Sequence, residues 1–268
     1  MPAIEIRDMI KADQAFVGTC THVHDTPEIL LRDEIDISAR NRVAWLERMH
    51  AQGARVKVAS LHSKPVGFLH LVPIEISPWG PMGQDLMTIP CLVVEDRARR
   101  GGAGRALMSE AEREAQRQGR RGIVITAFYH NFWFMPASFF ERLGYTVADR
   151  RDEEALLWKA FDPSAEAPRL LKPDLQFEPV PGKVVIDLFW NTFCQTSAIE
   201  ARRVREVAAE FEACVVLREH SADDRATLLR YQIPRGIFVN GRETGWGYEA
   251  PKAGIRAAIE EALGPNCT

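Results

Sequence analysis

From Ala3 to about Phe161, short apolar runs alternate with stretches of three- and four-residue periodicity. That alternation predicts strands interleaved with amphipathic helices. Ala3–Met9, Arg55–Leu61, Pro65–Glu75, Leu86–Val94 and Ile123–Phe128 read as strands, with a hairpin turn at His62–Lys64. Two helical stretches follow the first strand, the second marked by Val43, Leu46 and Met49 over roughly Ser38–Gln52, with Ser38 as the expected N-cap and Gly53 as the stop. Leu107, Ala111 and Ala115 mark a further helix over Ala103–Gln118, and Ala137–Leu143 reads as a short one ended by Gly144. Two more extended runs fill Tyr145–Phe161. Mixed elements of this kind predict α/β layers.

Asp162–Gly182 carries five prolines and no helical period. Proline removes donors and stiffens the chain, so a semi-extended linker is expected there. Beyond it the pattern is βαβαββα: Val184–Trp190, Ser197–Phe211, Cys214–Glu219, Asp223–Gln232, Gly236–Val239, Thr244–Tyr248 and Pro251–Leu263. The dipeptide Asn240-Gly241 suits the tight turn of a hairpin. The expected division is therefore 1–161, a linker over 162–182, and 183–268.

Composition changes this picture little. Hydrophobic residues make up 46% and charged residues 26%, with a net charge of −3, so no basic field points to nucleic acid. The N-terminal segment is charged and lacks an apolar core, and no apolar run approaches about 18 residues. Neither a secretory signal nor a membrane span is expected. Five scattered cysteines argue against a secreted disulfide framework and for a cytoplasmic location.

The strongest chemical signal is CLVVEDRARRGGAGRAL at Cys91–Leu107. An apolar strand ends, an arginine-rich turn follows, and Gly102-Ala103-Gly104 opens a helix. Glycine lets the backbone approach a ligand, and free amides at a helix start favour an anion. Arg99, Arg100 and Arg105 add positive charge, so a ligand bearing a diphosphate or triphosphate fits. RRGGAG at Arg99–Gly104 resembles the R/Q-x-x-G-x-G/A signature of the GNAT N-acetyltransferases. The resemblance extends by element order from Ala3 to about Phe161. It implies the acyl-CoA N-acyltransferase fold, a mixed and mostly antiparallel sheet with helices on both faces, and acetyl-CoA as cosubstrate. It assigns contacts with the pantetheine arm to Leu92 and Val94. It assigns contacts with the pyrophosphate to Arg99, Arg100, Gly101, Gly102, Ala103, Gly104 and Arg105. No metal is expected.

FFERLGY at Phe139–Tyr145 resembles the family segment in which a tyrosine protonates the departing thiolate. Phe140 stands at that position and cannot donate a proton. Tyr129 or Tyr145 could substitute, or water. Glu75 and Asp85 are the candidate bases for an acceptor amine, and also plain strand-end carboxylates. Cys91 reads as a buried small hydrophobe. Cys20, His22 and His24 occupy alternate positions, which suits acceptor contact or half of a metal site.

In the second segment, FWNTFCQTS puts Cys194 between a strand and a helix start, where a thiolate is favoured. Pro234 lies 40 residues further on. These features resemble a thioredoxin-like domain, with Pro234 as the expected cis proline and Cys194 as a candidate reactive thiol. Ser197 stands where a dithiol enzyme has its second cysteine, so exchange cannot close within the motif. The whole architecture resembles the YoaP-type acetyltransferases. The expected activity is N-acetylation of a small-molecule or peptide amine, the tail recognising or gating the acceptor. A thiol-active or CoA-sensing protein and a non-catalytic CoA-binding module are the alternatives, and assembly into a homo-oligomer stays open.

Overall fold

The computed structural model describes residues 4–20, 32–130, 134–211, 213–245 and 250–263. The chain divides into two compact units, Met1–Val17 with Leu46–Leu171 and Gly18–Trp45 with Lys172–Thr268.

The first unit is built on a seven-stranded sheet in the order β1-β2-β3-β4-β5-β7-β6. Its strands are β1 (Glu5–Asp8), β2 (Arg55–Leu61), β3 (Lys64–Pro73), β4 (Leu86–Val94), β5 (Gly122–Phe128), β6 (Thr146–Arg151) and β7 (Glu154–Ala160). Neighbours run antiparallel except β4 and β5, which are parallel. Helix α1 is Gln14–Gly18; α2 is Arg32–His50, of which residues 32–45 group with the second unit. Helix α3 (Ala103–Arg117) lays Leu107, Met108, Ala111 and Ala115 against one face of the sheet, and α4 (Ala137–Glu141) adds the fully buried Phe140 to the same core.

A buried ion cluster fastens α3 to the sheet. Lys57 on β2 pairs with Asp8 on β1 at 2.7 Å and with Glu114 on α3 at 3.0 Å. Burial alone would lower the Lys57 pKa, but the bonds to Asp8 and Glu114 outweigh it and the value stands raised. Burial would likewise raise that of Glu114, yet the bonds from Gln118 and Lys57 leave it lowered.

In the second unit a four-stranded sheet has the order β11-β10-β8-β9. The strands are β8 (Val184–Trp190), β9 (Val215–Ser221), β10 (Gly236–Val239) and β11 (Arg242–Glu243). β8 and β9 are parallel, while β10 is antiparallel to both β8 and β11. Asn240 and Gly241, with φ of 48° and 77°, turn the β10–β11 hairpin as its sequence requires. Helices α5 (Gln195–Glu210) and α7 (Lys252–Ala262) bury Val204, Val207, Ile255 and Ile259 on one face of this sheet. Helix α6 (Arg225–Tyr231) starts at Asp224, whose carboxylate accepts from the Ala226 and Thr227 amides.

Three expectations differ from the structure. The division does not fall as a single cut after residue 161. Gly18–Trp45 groups with the second unit, because Glu34 on α2 forms a buried two-bond pair with Arg203 on α5, at 2.9 and 2.8 Å. Gln195 also accepts from the Cys20 amide at 2.7 Å and donates to the Ile35 carbonyl at 3.0 Å. The expected linker is likewise split. Arg169 bridges to Met82 in the first unit, whereas Asp174 donates its amide to the Tyr231 carbonyl in the second. Ser38 is no N-cap: it lies inside the helix, which spans Arg32–His50 among the described residues, and its hydroxyl donates back to the Glu34 carbonyl at 2.6 Å. Cys20, Cys91 and Cys194 are free thiols, while Cys214 is disulfide-bonded. Among the described residues no helix is long and apolar enough to cross a membrane.

Removing one member of the Glu34–Arg203 pair strands a charge at a site only 1–5% exposed. Arg203→Ala is expected to cost about 3–5 kcal/mol in urea unfolding, and the double variant Glu34→Met/Arg203→Met to recover most of it. For the α3 cluster, the lowered Glu114 value means its contribution is present above the ordinary carboxylate pKa and lost as pH falls through the folded one. The thermal midpoint of Glu114→Gln should therefore fall less steeply on acidification than that of the wild type.

Candidate active site

The site is organised by a parting of two strands. β4 and β5 pair at Leu86↔Gly122, Met87↔Ile123 and Thr88↔Val124, and the ladder ends there. At the same level the β3–β4 register shifts: His70 faces Cys91 and Val72 faces Thr88, so Ile89 and Pro90 together oppose Leu71. Two residues against one is a β-bulge, which bends the bulged strand. Pro90 supplies no amide at that point, as expected of a proline tolerated inside a sheet.

Beyond the bulge, β4 keeps β3 on one edge and leaves the other edge open. The Glu95 amide donates to the Val66 carbonyl of the β3 side at 2.8 Å. By the alternation of an antiparallel ladder, the amides and carbonyls of Leu92 and Val94 then point to the open edge. The Val94 carbonyl accepts from Arg99 Nε there, at 3.3 Å. Leu92 and Val94 are half-buried, while Cys91 and Val93, which alternate with them, are buried.

At the end of this open edge the chain makes a short 3-10 turn, Asp96–Ala98, and enters α3. Arg100 at φ 63° and Gly102 at φ 90° reverse the backbone. Gly102 caps the helix with no side chain, so the amides of Ala103, Gly104 and Arg105 have neither an intrahelical partner nor a side-chain cap. Arg99 pairs with Asp96 at 2.8 Å. Arg100 and Arg105 are exposed and carry no ion pair among the described residues. A strand edge seeking partners therefore runs into three free amides and two free guanidinium groups, a ready anion site.

Gly104 is needed for close packing. A Cβ on it would lie 3.1 Å from Phe139 Cζ and 3.8 Å from Val94 Cγ2, so Phe139 on α4 closes against the start of α3. Phe140 beside it is fully buried, edge-on to Tyr145 at 6.3 Å. It lies in the core as an apolar side chain and offers no proton.

The other sequence-predicted residues are scattered. Glu75 accepts from the Asp85 amide at 2.7 Å and from Arg120 at 2.9 Å, and Asp85 lies 3.9 Å from Arg121. Arg120 and Arg121 follow the C-terminus of α3, and Asp85 precedes the N-terminus of β4. Both carboxylates thus occupy the end of the helix and strand opposite to the glycine turn. At about 3.3 Å per strand residue, they are far from Leu92 and Val94. Tyr145 is buried: burial first, then Glu112 at 3.0 Å, pushes its pKa well above the ordinary phenol value. Tyr129, just past β5, lies at the correct end, but its hydroxyl donates to Glu141 at 2.7 Å and its pKa is raised, chiefly by that bond. The Arg150 guanidinium covers its ring at 4.1 Å.

Cys194 belongs to the second unit. It caps α5, with its amide donating to Asn191 Oδ1 at 2.8 Å and its sulfur 3.2 Å from Thr196 Oγ1. Ser197 is buried and accepts the Asn191 amide at 3.1 Å. Pro234 is not preceded by a cis bond; among the described residues the cis peptide is Gly80-Pro81. The Pro234 carbonyl is engaged by Asn191 Nδ2 at 2.9 Å. Cys20 is placed by its amide bond to Gln195, and His22 and His24 lie outside the described residues. Sequence reasoning missed two side chains: Glu141 and His70. For His70 the signal was a lone imidazole inside the apolar run FLHLV.

Against known proteins, residues 52–147 match the family model described as an acetyltransferase (GNAT) domain. Over that stretch, about a third of its length, the chain is similar to a GNAT acetyltransferase domain. No curated protein matches it significantly. Similar solved structures include the PaiA N-acetyltransferase of Thermoplasma acidophilum in complex with coenzyme A, at 16% identity and TM-score 0.44, covering 59% of this chain and 99% of that one. YncA, a putative acetyltransferase of Salmonella typhimurium with acetyl-CoA, is 21% identical with TM-score 0.46, covering 62% and 98%. The ribosomal-protein-alanine N-acetyltransferase of Brucella melitensis is 19% identical with TM-score 0.44, covering 59% and 99%.

Because Glu141 is the first cause of the raised Tyr129 value, Glu141→Gln should bring that phenol back toward its ordinary pKa. Tyrosinate absorbance followed against pH, with Tyr129→Phe to assign the change, checks this; an unmoved titration contradicts it.

Proposed function

We propose that the protein is an acetyl-CoA-dependent N-acetyltransferase acting on an amine of a small molecule or peptide. The observation that carries this reading is the open edge of β4 running into the uncapped start of α3. Acetyl-CoA has the matching shape: an amide-bearing pantetheine arm that can pair with Leu92 and Val94, and a pyrophosphate for the turn from Arg99 to Arg105. Arg99 needs no role as a free cation, since it already bonds to Asp96 and Val94. Arg100, Arg105 and the amides of Ala103 and Gly104 are the pyrophosphate ligands. The bulge holds the backbone amides near the gap, where they can meet the oxyanion of a tetrahedral intermediate.

The second unit is read as a thioredoxin-like tail that recognises or gates the acceptor. Its element order βαβαββα and its sheet order, with one parallel pair flanked by an antiparallel hairpin, support that reading. Ser197, fixed by the Asn191 amide, and the non-cis Pro234 speak for a docking role over disulfide exchange.

Calorimetry with acetyl-CoA tests the cofactor reading. The wild type should bind in the micromolar range. Gly104→Asp puts a carboxylate at the helix start and a Cβ against Phe139, and should weaken binding about a hundredfold or more while the protein stays folded. A wild type that binds no acetyl-CoA contradicts the proposal.

A further inference from the structure

Resting on the acetyl-CoA reading, we infer that His70 is the proton-transfer residue of the reaction, and that the acceptor amine meets the thioester on the His70–Cys91 face of the sheet.

The argument is one of faces. Leu69, Leu71, Met87, Ile89, Ile125 and Ala127 all pack into the core shared with α3. Side chains alternate along a strand, so the residues between them face the opposite way. On that opposite face, around the point where β4 and β5 part, stand His70, Thr88, Cys91 and Thr126. His70 and Cys91 are direct partners in register. Directly opposed side chains have Cβ atoms about 4.5–5.5 Å apart. His70 is 0% exposed and Cys91 5%. The His70 ring packs against Phe68, with centroids 5.0 Å apart, and Phe68 against Phe16 at 5.5 Å.

If the pyrophosphate sits at the start of α3, the pantetheine arm enters the gap from the α3 side. The thioester carbon then presents its other side to the His70–Cys91 face. The bases first considered, Glu75 and Asp85, are at the far end of the strand, and Phe140 cannot act as an acid. An imidazole is the side chain whose ordinary pKa lies nearest neutrality, and it can both take and return a proton. The amine nitrogen attacks the thioester carbon, the C–N bond forms, and the amine proton passes to the neutral His70 imidazole. The C–S bond then breaks and the thiolate takes that proton from His70, giving the acetamide, free CoA thiol and neutral imidazole. One residue serves both halves, so no tyrosine is needed at position 140.

Cys91 makes this testable without a known acceptor. Bromoacetyl-CoA carries an electrophilic carbon where acetyl-CoA carries its methyl group. The Cys91 sulfur would displace bromide to form a thioether, its proton passing to His70. Mass spectrometry of the full-length wild type after incubation should locate the adduct on Cys91 or on His70 itself. In His70→Gln, which should bind acetyl-CoA as the wild type does, the Cys91 adduct should form roughly a hundredfold more slowly. An adduct on another residue, no adduct despite saturable binding, or an unchanged rate in a folded His70→Gln overturns the inference. Should His70→Gln fail to fold, the site labelled in the wild type still decides. Failure of the wild type to bind acetyl-CoA in calorimetry would instead overturn the acetyl-CoA reading beneath it.

Discussion

The first unit depends on one interruption: the β4–β5 ladder stops after Thr88↔Val124. A continuous parallel ladder would satisfy every backbone group and leave nothing for a ligand. Here a bulge containing Pro90 bends the strand away, and the alternation that normally pairs backbone with backbone exposes the polar groups of Leu92 and Val94. Unpaired backbone groups near a core are costly, so such a gap is held open only by firm support on both sides. β3 supports β4 beyond the bulge, and β7 pairs with β5 along its whole length.

Helix α3 completes the arrangement by bringing its start to the end of the open edge. Its placement is set from the far end as well as the near one. Lys57, Glu114 and Asp8 tie its C-terminal half to β1 and β2, while Gly104 lets Phe139 close against its first turn. The electrostatic clamp and the glycine contact act at opposite ends of one helix, so the free amides at Ala103–Arg105 are aimed rather than merely present.

Much of this was legible in the sequence. Arg55–Leu61, Leu86–Val94, Val184–Trp190 and Gly236–Val239 are strands at their expected bounds, because apolar alternation bounded by turn residues is a strong local signal. The glycine turn was legible for the same reason: its chemistry lies within a few consecutive residues. Glu75 and Asp85 were legible only as strand-end carboxylates; that they lie at the end of β4 opposite to the glycine turn depends on the sheet topology. Ser38 misled because a buried serine that bonds back to Glu34 looks like an N-cap in sequence. The grouping of Gly18–Trp45 with the second unit depends on Glu34 meeting Arg203, 169 positions away, which no local pattern reveals. His70 went unnoticed because its meaning depends on which strand faces it.

The central claim is that the outer edge of β4 beyond the bulge is a binding edge for acetyl-CoA. Amide hydrogen exchange at Leu92 and Val94, followed by NMR with and without acetyl-CoA, tests it most directly. The account predicts that both amides become strongly protected on binding, while those of Cys91 and Val93, already directed at β3, change little. Saturable binding that leaves Leu92 and Val94 exchanging as before would contradict it.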